Sequence, residues 1–159
     1  MKKVVITGVS TGIGYSSAKI LCGSGYRVFG SVRKQKDAEK VTSEFGANFT
    51  PLIFDVTDSK GIQENAEIVK SELLPGEALA GLVNNAGVAM GGPINLIDTD
   101  VFRQQFEVNF FGLIEVTKTF LPMLGAVKNS MQQGKIINIS SISGRRAHPF
   151  LAPYTASKF

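Results

Sequence analysis

Short apolar runs alternate along this chain with longer stretches in which apolar residues recur every three or four positions. The apolar runs lie at 3–7, 27–31, 51–56, 81–85 and 135–140. Most are apolar at nearly every position, which is typical of parallel strands buried on both faces of a sheet. Helical periodicity is found at about 12–24, 37–45, 59–73 and 99–128. This alternation predicts an α/β fold with a doubly wound parallel sheet, in three α/β/α layers.

The longest predicted helix carries four phenylalanines: Phe102, Phe106, Phe110 and Phe111. A spacing of four residues places side chains on one helix face, so we expect this face to pack in the core or against a partner helix. Pro122 predicts a kink or an early end of that helix, because proline cannot donate the backbone hydrogen bond. The stretch 141–153 has no regular pattern and is predicted to be a long loop, after which a short helix begins near Tyr154.

Composition narrows the class of protein. The chain has 159 residues, of which 43% are hydrophobic and 19% charged, as in a folded globular protein. Cys22 is the single cysteine, so an internal disulfide is excluded and a reducing, cytoplasmic location is expected. No stretch approaches the length of a membrane span. The net charge of +4 opens the possibility of nucleic-acid binding, but the basic residues are scattered, so we expect no nucleic-acid partner.

The first strand leads into a glycine-rich turn, TGVSTGIG at 7–14, and a helix follows. Gly8 permits a tight turn, Gly12 lets a phosphate approach the backbone, and Gly14 lets helix and strand pack closely. The helix N-terminus offers free N–H groups to a pyrophosphate. The alternative is a structural turn without a ligand. The predicted cofactor contacts in this turn are Gly8, Ser10, Thr11, Gly12, Ile13 and Gly14.

The end of the second strand indicates which dinucleotide is bound. An acidic residue there would hold a ribose 2′-hydroxyl, but the sequence offers Val32, Arg33 and Lys34. A guanidinium binds a 2′-phosphate bidentately, so NADP(H) is favoured over NAD(H), with Arg33 as the main contact and Ser10 as a second donor. The alternative is that Arg33 and Lys34 form a solvated loop.

Two further strand ends carry polar groups. Asp55 and Val56 close the third strand, where the carboxylate would accept from an adenine amino group and the valine would cover the ring. Alternatively, Asp55 caps a turn with Thr57 and Asp58. The segment NNAG at 84–87 ends the fourth strand and would either line the cofactor or tie strands together. Its predicted cofactor contacts are Asn84, Ala86 and Gly87.

Tyrosine and lysine occur twice at a spacing of four residues. Tyr15–Lys19 lies in the first helix with no serine upstream, and it is expected to be an ordinary surface pair. Tyr154–Lys158 differs because the fifth strand delivers NISSISG, at 138–144, to the sheet edge where open α/β folds bind ligands. Helical spacing places Tyr154 and Lys158 on one face.

A chemical role for the second pair follows from its residue types. A free tyrosine has a pKa of about 10, and a nearby ammonium favours its phenolate. Tyr154 would then exchange a proton with an alcohol or carbonyl oxygen, and Ser141 would hold that oxygen in place. Asn109 is an unusual mid-helix residue whose amide would hold a water that relays protons to Lys158. The alternative for Asn109 is a satisfied core amide.

Together these motifs resemble the short-chain dehydrogenase/reductase family. In chain order they are TGVSTGIG, DV at 55–56, NNAG, Asn109 in VNFFG, Ser141 in NISSISG and YTASK at 154–158. The resemblance implies a Rossmann-type fold that binds NAD(P)(H), with a catalytic tetrad of Asn109, Ser141, Tyr154 and Lys158. Tyr154 would be the acid/base, Ser141 would position the substrate oxygen, and Lys158 would bind the nicotinamide ribose and tune Tyr154. The segment GSVRK, with Arg33, resembles the NADP-preferring members.

The resemblance implies an NADP(H)-dependent oxidoreductase that acts on CH–OH groups of a small alcohol or carbonyl substrate. Hydroxysteroid, retinol and β-ketoacyl thioester substrates remain open, and a non-catalytic NADP-binding fragment, sensor or scaffold is the alternative function. Homodimers or tetramers are implied, and no metal site is expected. Because family chains continue beyond the final helix, residues 1–159 are expected to form one dinucleotide-binding domain, incomplete at its C-terminus. A sheet edge and an apolar helix face would then be uncovered.

Overall fold

A computed structural model describes residues 1–126 and 132–159, and within them five parallel strands form one sheet in the order β3–β2–β1–β4–β5. The strands are β1 Lys3–Ile6, β2 Arg27–Val32, β3 Phe49–Ile53, β4 Gly81–Asn84 and β5 Lys135–Asn138. The helices are α1 Gly12–Gly23, α2 Gln35–Phe45, α3 Ser59–Ser71, α4 Thr99–Phe106, α5 Leu113–Phe120 and α6 Ala152–Lys158. The predicted doubly wound, Rossmann-type α/β fold is confirmed.

Each face of the sheet carries its own core. Side chains alternate along a strand, so Val4 and Val5 point to opposite faces. The cluster on the side of α1 and α2 includes Val4, Ile6, Ala18, Cys22, Val28 and Val41. The cluster on the side of α3 and α5 includes Val5, Phe29, Leu52, Ile62, Val116 and Phe120. Burial on both faces therefore explains why the strands are apolar at nearly every position, and Cys22 lies in one of the two cores.

Strand β3 begins two residues earlier than the apolar run suggests. Phe49 and Thr50 pair with Val28 and Phe29, although Pro51 follows them. Proline is tolerated because β3 is an outer strand, where a missing N–H need not interrupt a ladder on both sides. The strand ends at Ile53.

The predicted helix at 99–128 is not one regular α-helix. A π-helical turn at Glu107–Gly112 separates α4 from α5, and a 3₁₀ turn at Leu121–Leu124 follows α5. The α-helix ends at Phe120, two residues before Pro122, as the proline predicts. Positions 127 and 128 of the predicted helix lie outside the described residues. A 3₁₀ turn at Ile142–Gly144 occupies part of the predicted loop.

Apolar surface remains exposed on the β5 side of the molecule. Ile136 and Ile137 of β5 are 40% and 52% exposed, because this strand pairs with β4 alone among the described strands. Phe110 and Phe111 are also exposed, so these two rings do not pack in the core, and packing against a partner helix stays a prediction. The sequence predicts an uncovered sheet edge and an uncovered apolar helix face. None of the helices in 1–126 and 132–159 combines the length and apolarity needed to cross a membrane.

Candidate active site

A cleft of about 400 Å³ lies at the carboxyl ends of the strands. It forms at the switch point of the sheet, where β2 lies on one side of β1 and β4 lies on the other side. The predicted residues that line it are Gly8, Ser10, Thr11, Ile13, Arg33, Asp55, Val56, Ala86, Gly87, Tyr154 and Lys158. Gly12, Gly14, Asn84, Asn109 and Ser141 are not part of its lining.

The glycine turn depends on two different properties of glycine. Gly12 has a φ of 64°, a backbone conformation that residues with a side chain rarely adopt, and a Cβ there would face open space. A Cβ on Gly14 would instead overlap the Gly8 carbonyl oxygen and the amide of Asn85. Ser31 supports the turn, because its Oγ accepts from the N–H of Gly8 at 3.0 Å. Gly14 is therefore a packing residue, whereas Gly12 leaves the backbone accessible.

Asn85 joins the glycine turn to the end of β4. Its Nδ2 donates to the carbonyl oxygens of Thr7 and Gly8, each at 2.9 Å. The Thr7 hydroxyl oxygen accepts in return from the backbone N–H groups of Asn85 and Ala86, at 3.0 and 2.9 Å. Asn85 also lines the cleft. The sequence reasoning missed this residue, although the second asparagine of NNAG was available as a signal.

Asn84 points away from the cleft and connects three elements. Its Nδ2 donates to Thr117 Oγ1 of α5 and to Asn138 Oδ1 of β5, each at 2.9 Å. The side chain is 4% exposed. Of the two roles considered for this segment, Asn84 has the one that ties strands together.

Arg33 and Asp55 face each other at one end of the cleft. The Arg33 Nη1 lies 3.9 Å from Asp55 Oδ2; the Arg33 side chain is largely exposed and that of Asp55 is partly exposed. Asp55 Oδ1 accepts from the N–H and the hydroxyl of Thr57, at 3.0 and 2.9 Å. Asp55 therefore caps a turn, while its second oxygen remains available to a neighbour. An exposed ion pair of this kind contributes only about 0–1 kcal/mol, so a phosphate would compete for the guanidinium.

Tyr154 and Lys158 lie at the other end of the cleft, on one face of α6. Lys158 Nζ donates to the carbonyl oxygen of Ile139 at 2.9 Å, which fixes the ammonium against the chain leaving β5. Gly87 lies beside this ammonium, since a Cβ on Gly87 would be 3.8 Å from Lys158 Nζ. The segment after β4 and the segment after β5 therefore meet at Lys158.

Ser141 lies in the segment after β5, but it does not line the cleft. Its Oγ accepts from the N–H of Ser143 at 3.1 Å and caps the 3₁₀ turn. Ile139 and Ser140 are the lining residues of this segment. The Ser141 oxygen accepts in this bond, so its hydroxyl hydrogen is left for another acceptor.

Asn109 is 5% exposed and lies in the π-helical turn. Its Oδ1 accepts from the N–H of Val88 at 2.9 Å. Its Nδ2 donates to the Val88 carbonyl oxygen at 3.0 Å and to Ser157 Oγ at 2.9 Å. Both amide hydrogens are thus donated to protein acceptors, as in a satisfied core amide. A water that relays protons could therefore bind this side chain only at the remaining lone pair of Oδ1.

The fold defines a Rossmann-type α/β domain with a cleft at the carboxyl ends of its strands, and a family comparison identifies the family. A family model described as short chain dehydrogenase matches residues 2–159. The chain belongs to the short chain dehydrogenase family.

Individual proteins with similar sequences and structures agree with this assignment. The chain is 41% identical over 158 residues to the NADPH-dependent 3-dehydrocapnine reductase of Ornithobacterium rhinotracheale, covering 99% of this chain and 56% of the relative. It is 36% identical over 163 residues to the mitochondrial D-beta-hydroxybutyrate dehydrogenase of Bos taurus, covering 99% and 46%. The crystal structure of serine dehydrogenase from Escherichia coli superposes with a TM-score of 0.87 at 27% identity, covering 98% of this chain and 69% of that one. The chain spans about half the length of the curated relatives it matches.

Proposed function

We propose that residues 1–159 form a single dinucleotide-binding domain of an NADP(H)-dependent oxidoreductase that interconverts an alcohol and a carbonyl compound. The observation that carries this proposal is one continuous cleft, lined at one end by Arg33 and the glycine turn and at the other by Tyr154 and Lys158. A purely structural turn would not need a proton-transfer pair in the same cleft. An inactive sensor would not need Tyr154, so an enzyme is the better interpretation.

The glycine turn and Arg33 would bind the cofactor phosphates. Thr11 precedes α1 without a side-chain cap, so the first N–H groups of α1 are left for a pyrophosphate. Arg33 would bind the 2′-phosphate of NADP(H), and this contact would replace its weak contact with Asp55. Asp55 and Val56 would contact the adenine. The name of one relative, an NADPH-dependent reductase, supports this preference.

Tyr154 would exchange a proton with the substrate oxygen, while the bound nicotinamide supplies or accepts the hydride. The Lys158 ammonium has three hydrogens, one of which is donated to Ile139. The other two would bind the nicotinamide ribose and stabilise a phenolate at Tyr154. Ser141 would donate its hydroxyl hydrogen to the substrate oxygen.

The proposed substrate carries its reacting oxygen at a β position. The name of one curated relative, a D-beta-hydroxybutyrate dehydrogenase, states a hydroxyl group at that position and supports this proposal. We therefore propose a small β-oxo or β-hydroxy compound. A homodimer or tetramer and a cytoplasmic location complete the proposal, supported by the exposed Phe110 and Phe111 and by the single buried cysteine.

A calorimetric titration of the chain with NADPH, and separately with NADH, tests the proposal first. NADPH is expected to bind clearly more tightly, because only it carries the phosphate that Arg33 would recognise. Equal affinities would remove the assigned role of Arg33. Absence of binding by both cofactors would contradict the proposed function of this chain.

A further inference from the structure

Gln105 is a fully buried polar side chain that the proposed chemistry does not use. It lies in α4, one helical turn before Asn109, and it is 0% exposed. An amide buried without partners costs several kcal/mol in an apolar surrounding, so its contacts indicate why it is there. Gln105 Nε2 donates to the Val88 carbonyl oxygen at 2.7 Å, and Oε1 accepts from the Met90 N–H at 2.7 Å.

Gln105 and Asn109 together hold one short stretch of backbone. Asn109 binds both the N–H and the carbonyl oxygen of Val88, and Gln105 binds the same carbonyl oxygen and the N–H of Met90. Residues four apart on a helix share a face, which explains why the two amides act on the same stretch. We call these two side chains and the backbone of 88–90 the amide clamp.

The amide clamp adjoins both sides of the candidate active site. Val88 and Ala89 line the cleft directly. Asn109 also donates to Ser157 Oγ at 2.9 Å, and Ser157 donates to the carbonyl oxygen of Tyr154 at 2.8 Å. A shift of the clamped stretch would therefore move the cleft wall and the helix that carries Tyr154 and Lys158.

We propose that Gln105 is a positioning residue that fixes the backbone of 88–90, and through this stretch the wall of the cleft next to the catalytic pair. This inference rests on the proposed function for its catalytic consequence. The contacts require one donor and one acceptor at a fixed separation, which the glutamine amide provides. A residue that only fills volume would not need either.

Gln105→Met tests this role, because methionine is unbranched and of similar length but forms neither strong hydrogen bond. Turnover is expected to fall by about 10- to 100-fold with a much smaller change in KM, since small misplacements at a reacting centre have effects of this size. The fluorescence of bound NADPH is expected to change as well. Gln104→Met is the matched control, since Gln104 is the exposed neighbour on the same helix.

Gln105→Glu provides a rescue that depends on pH. A protonated carboxyl donates one hydrogen and accepts another, so it can replace both glutamine bonds. Burial raises the pKa of a carboxyl group. Gln105→Glu is therefore expected to restore turnover at low pH and to lose it as the pH rises through that raised pKa. The ratio of variant to wild-type turnover at each pH removes the ordinary pH dependence of the enzyme.

Amide hydrogen exchange separates this proposal from the proposed function, because it needs no cofactor. In Gln105→Met the Met90 N–H is expected to exchange about tenfold faster, while the Val88 N–H stays protected by Asn109. If the wild type binds neither cofactor, the proposed function fails, and selective exchange at Met90 still supports the clamp. Unchanged Met90 exchange overturns the clamp, and so does wild-type turnover by Gln105→Met. A pH-independent ratio for Gln105→Glu overturns it too.

Discussion

The chain contains the same tyrosine–lysine spacing in two helices, and the two pairs have different surroundings. Tyr154 and Lys158 line the cleft, and the Lys158 ammonium is fixed to the Ile139 carbonyl oxygen. The hydroxyl of Tyr15 instead donates to the carboxylate of Glu44 in α2. Helical spacing places tyrosine and lysine on one face in both cases. The elements packed around that face decide what chemistry is available to the phenol.

The carboxylate beside Tyr15 makes its phenol less acidic. The hydrogen bond to Glu44 raises the pKa of Tyr15 above its usual value, and burial and the carboxylate charge add to this effect. Tyr15 is therefore a poorer proton donor than a free tyrosine, and it provides an internal control for Tyr154.

Tyr154→Phe is expected to have the largest effect. In the full-length protein it should lower turnover by about 10²- to 10⁴-fold, the usual contribution of general acid–base catalysis, and NADPH affinity should be retained. Tyr15→Phe should leave turnover within about twofold of the wild type, because it changes only a helix-surface contact. Steady-state kinetics and calorimetry measure both quantities. Similar losses in the two variants would show that the comparison between the pairs is wrong.

Arg33→Ala tests whether the cleft that contains Tyr154 binds NADP(H). Loss of a charged hydrogen-bond donor typically costs about 1.5–3 kcal/mol, so NADPH affinity should fall by about 10- to 100-fold. NADH affinity should change little, because NADH has no 2′-phosphate, and it serves as the control ligand. Equal losses for both cofactors in calorimetry would contradict the 2′-phosphate contact.

Gly14→Ala tests the packing of the turn that precedes Tyr15. We expect about 1–3 kcal/mol of lost unfolding free energy, because the new Cβ would overlap the Gly8 carbonyl oxygen. Gly23→Ala is the matched control in the same helix, since a Cβ there has no atom within 4 Å. The control should be neutral or stabilising by about 1 kcal/mol. Denaturant unfolding of both variants measures the difference, and equal effects would exclude the overlap as the cause.

Glu44→Gln is expected to have the smallest effect. It removes the carboxylate from Tyr15, so the pKa of Tyr15 should fall towards its usual value, without any gain of activity at this site. Because the folded-state pKa is raised, the stability contributed by this contact is present at neutral pH and lost as the pH rises through the raised value. NMR titration of labelled tyrosines, with Tyr15→Phe for assignment, measures the shift. An unchanged Tyr15 titration would show that Glu44 is not its cause.

Much of the fold could be predicted because strands buried on both faces leave a strong apolar signal. Val5 and Phe29 contribute to this signal through their complete burial. The signal fails at β5, where Ile136 and Ile137 are equally apolar but exposed. Hydrophobicity reports what a side chain prefers, whereas exposure depends on which elements lie beside it. The sequence of β5 does not contain that information.

The site was predictable where a motif fixes residue type and position together, as in the glycine turn. It was less predictable where neighbouring identical residues have different roles. Asn84 joins strands while Asn85 binds the glycine turn, because successive residues of an extended chain point in opposite directions. Nor does helical periodicity predict the π-helical turn around Asn109.

The amide clamp and the Lys158 anchor have one property in common that affects how the site can be mapped by mutation. In each contact a side chain binds a main-chain atom, at Val88, Met90 or Ile139. Replacing the side chains at 88, 90 or 139 leaves those atoms in place. In each of these contacts, saturation mutagenesis would therefore show that substitutions are not tolerated at the residue that contributes its side chain. Substitutions would be tolerated at the residue that contributes its main-chain atom. Amide-to-ester substitution, which changes the backbone itself, would be needed to detect the tolerant end.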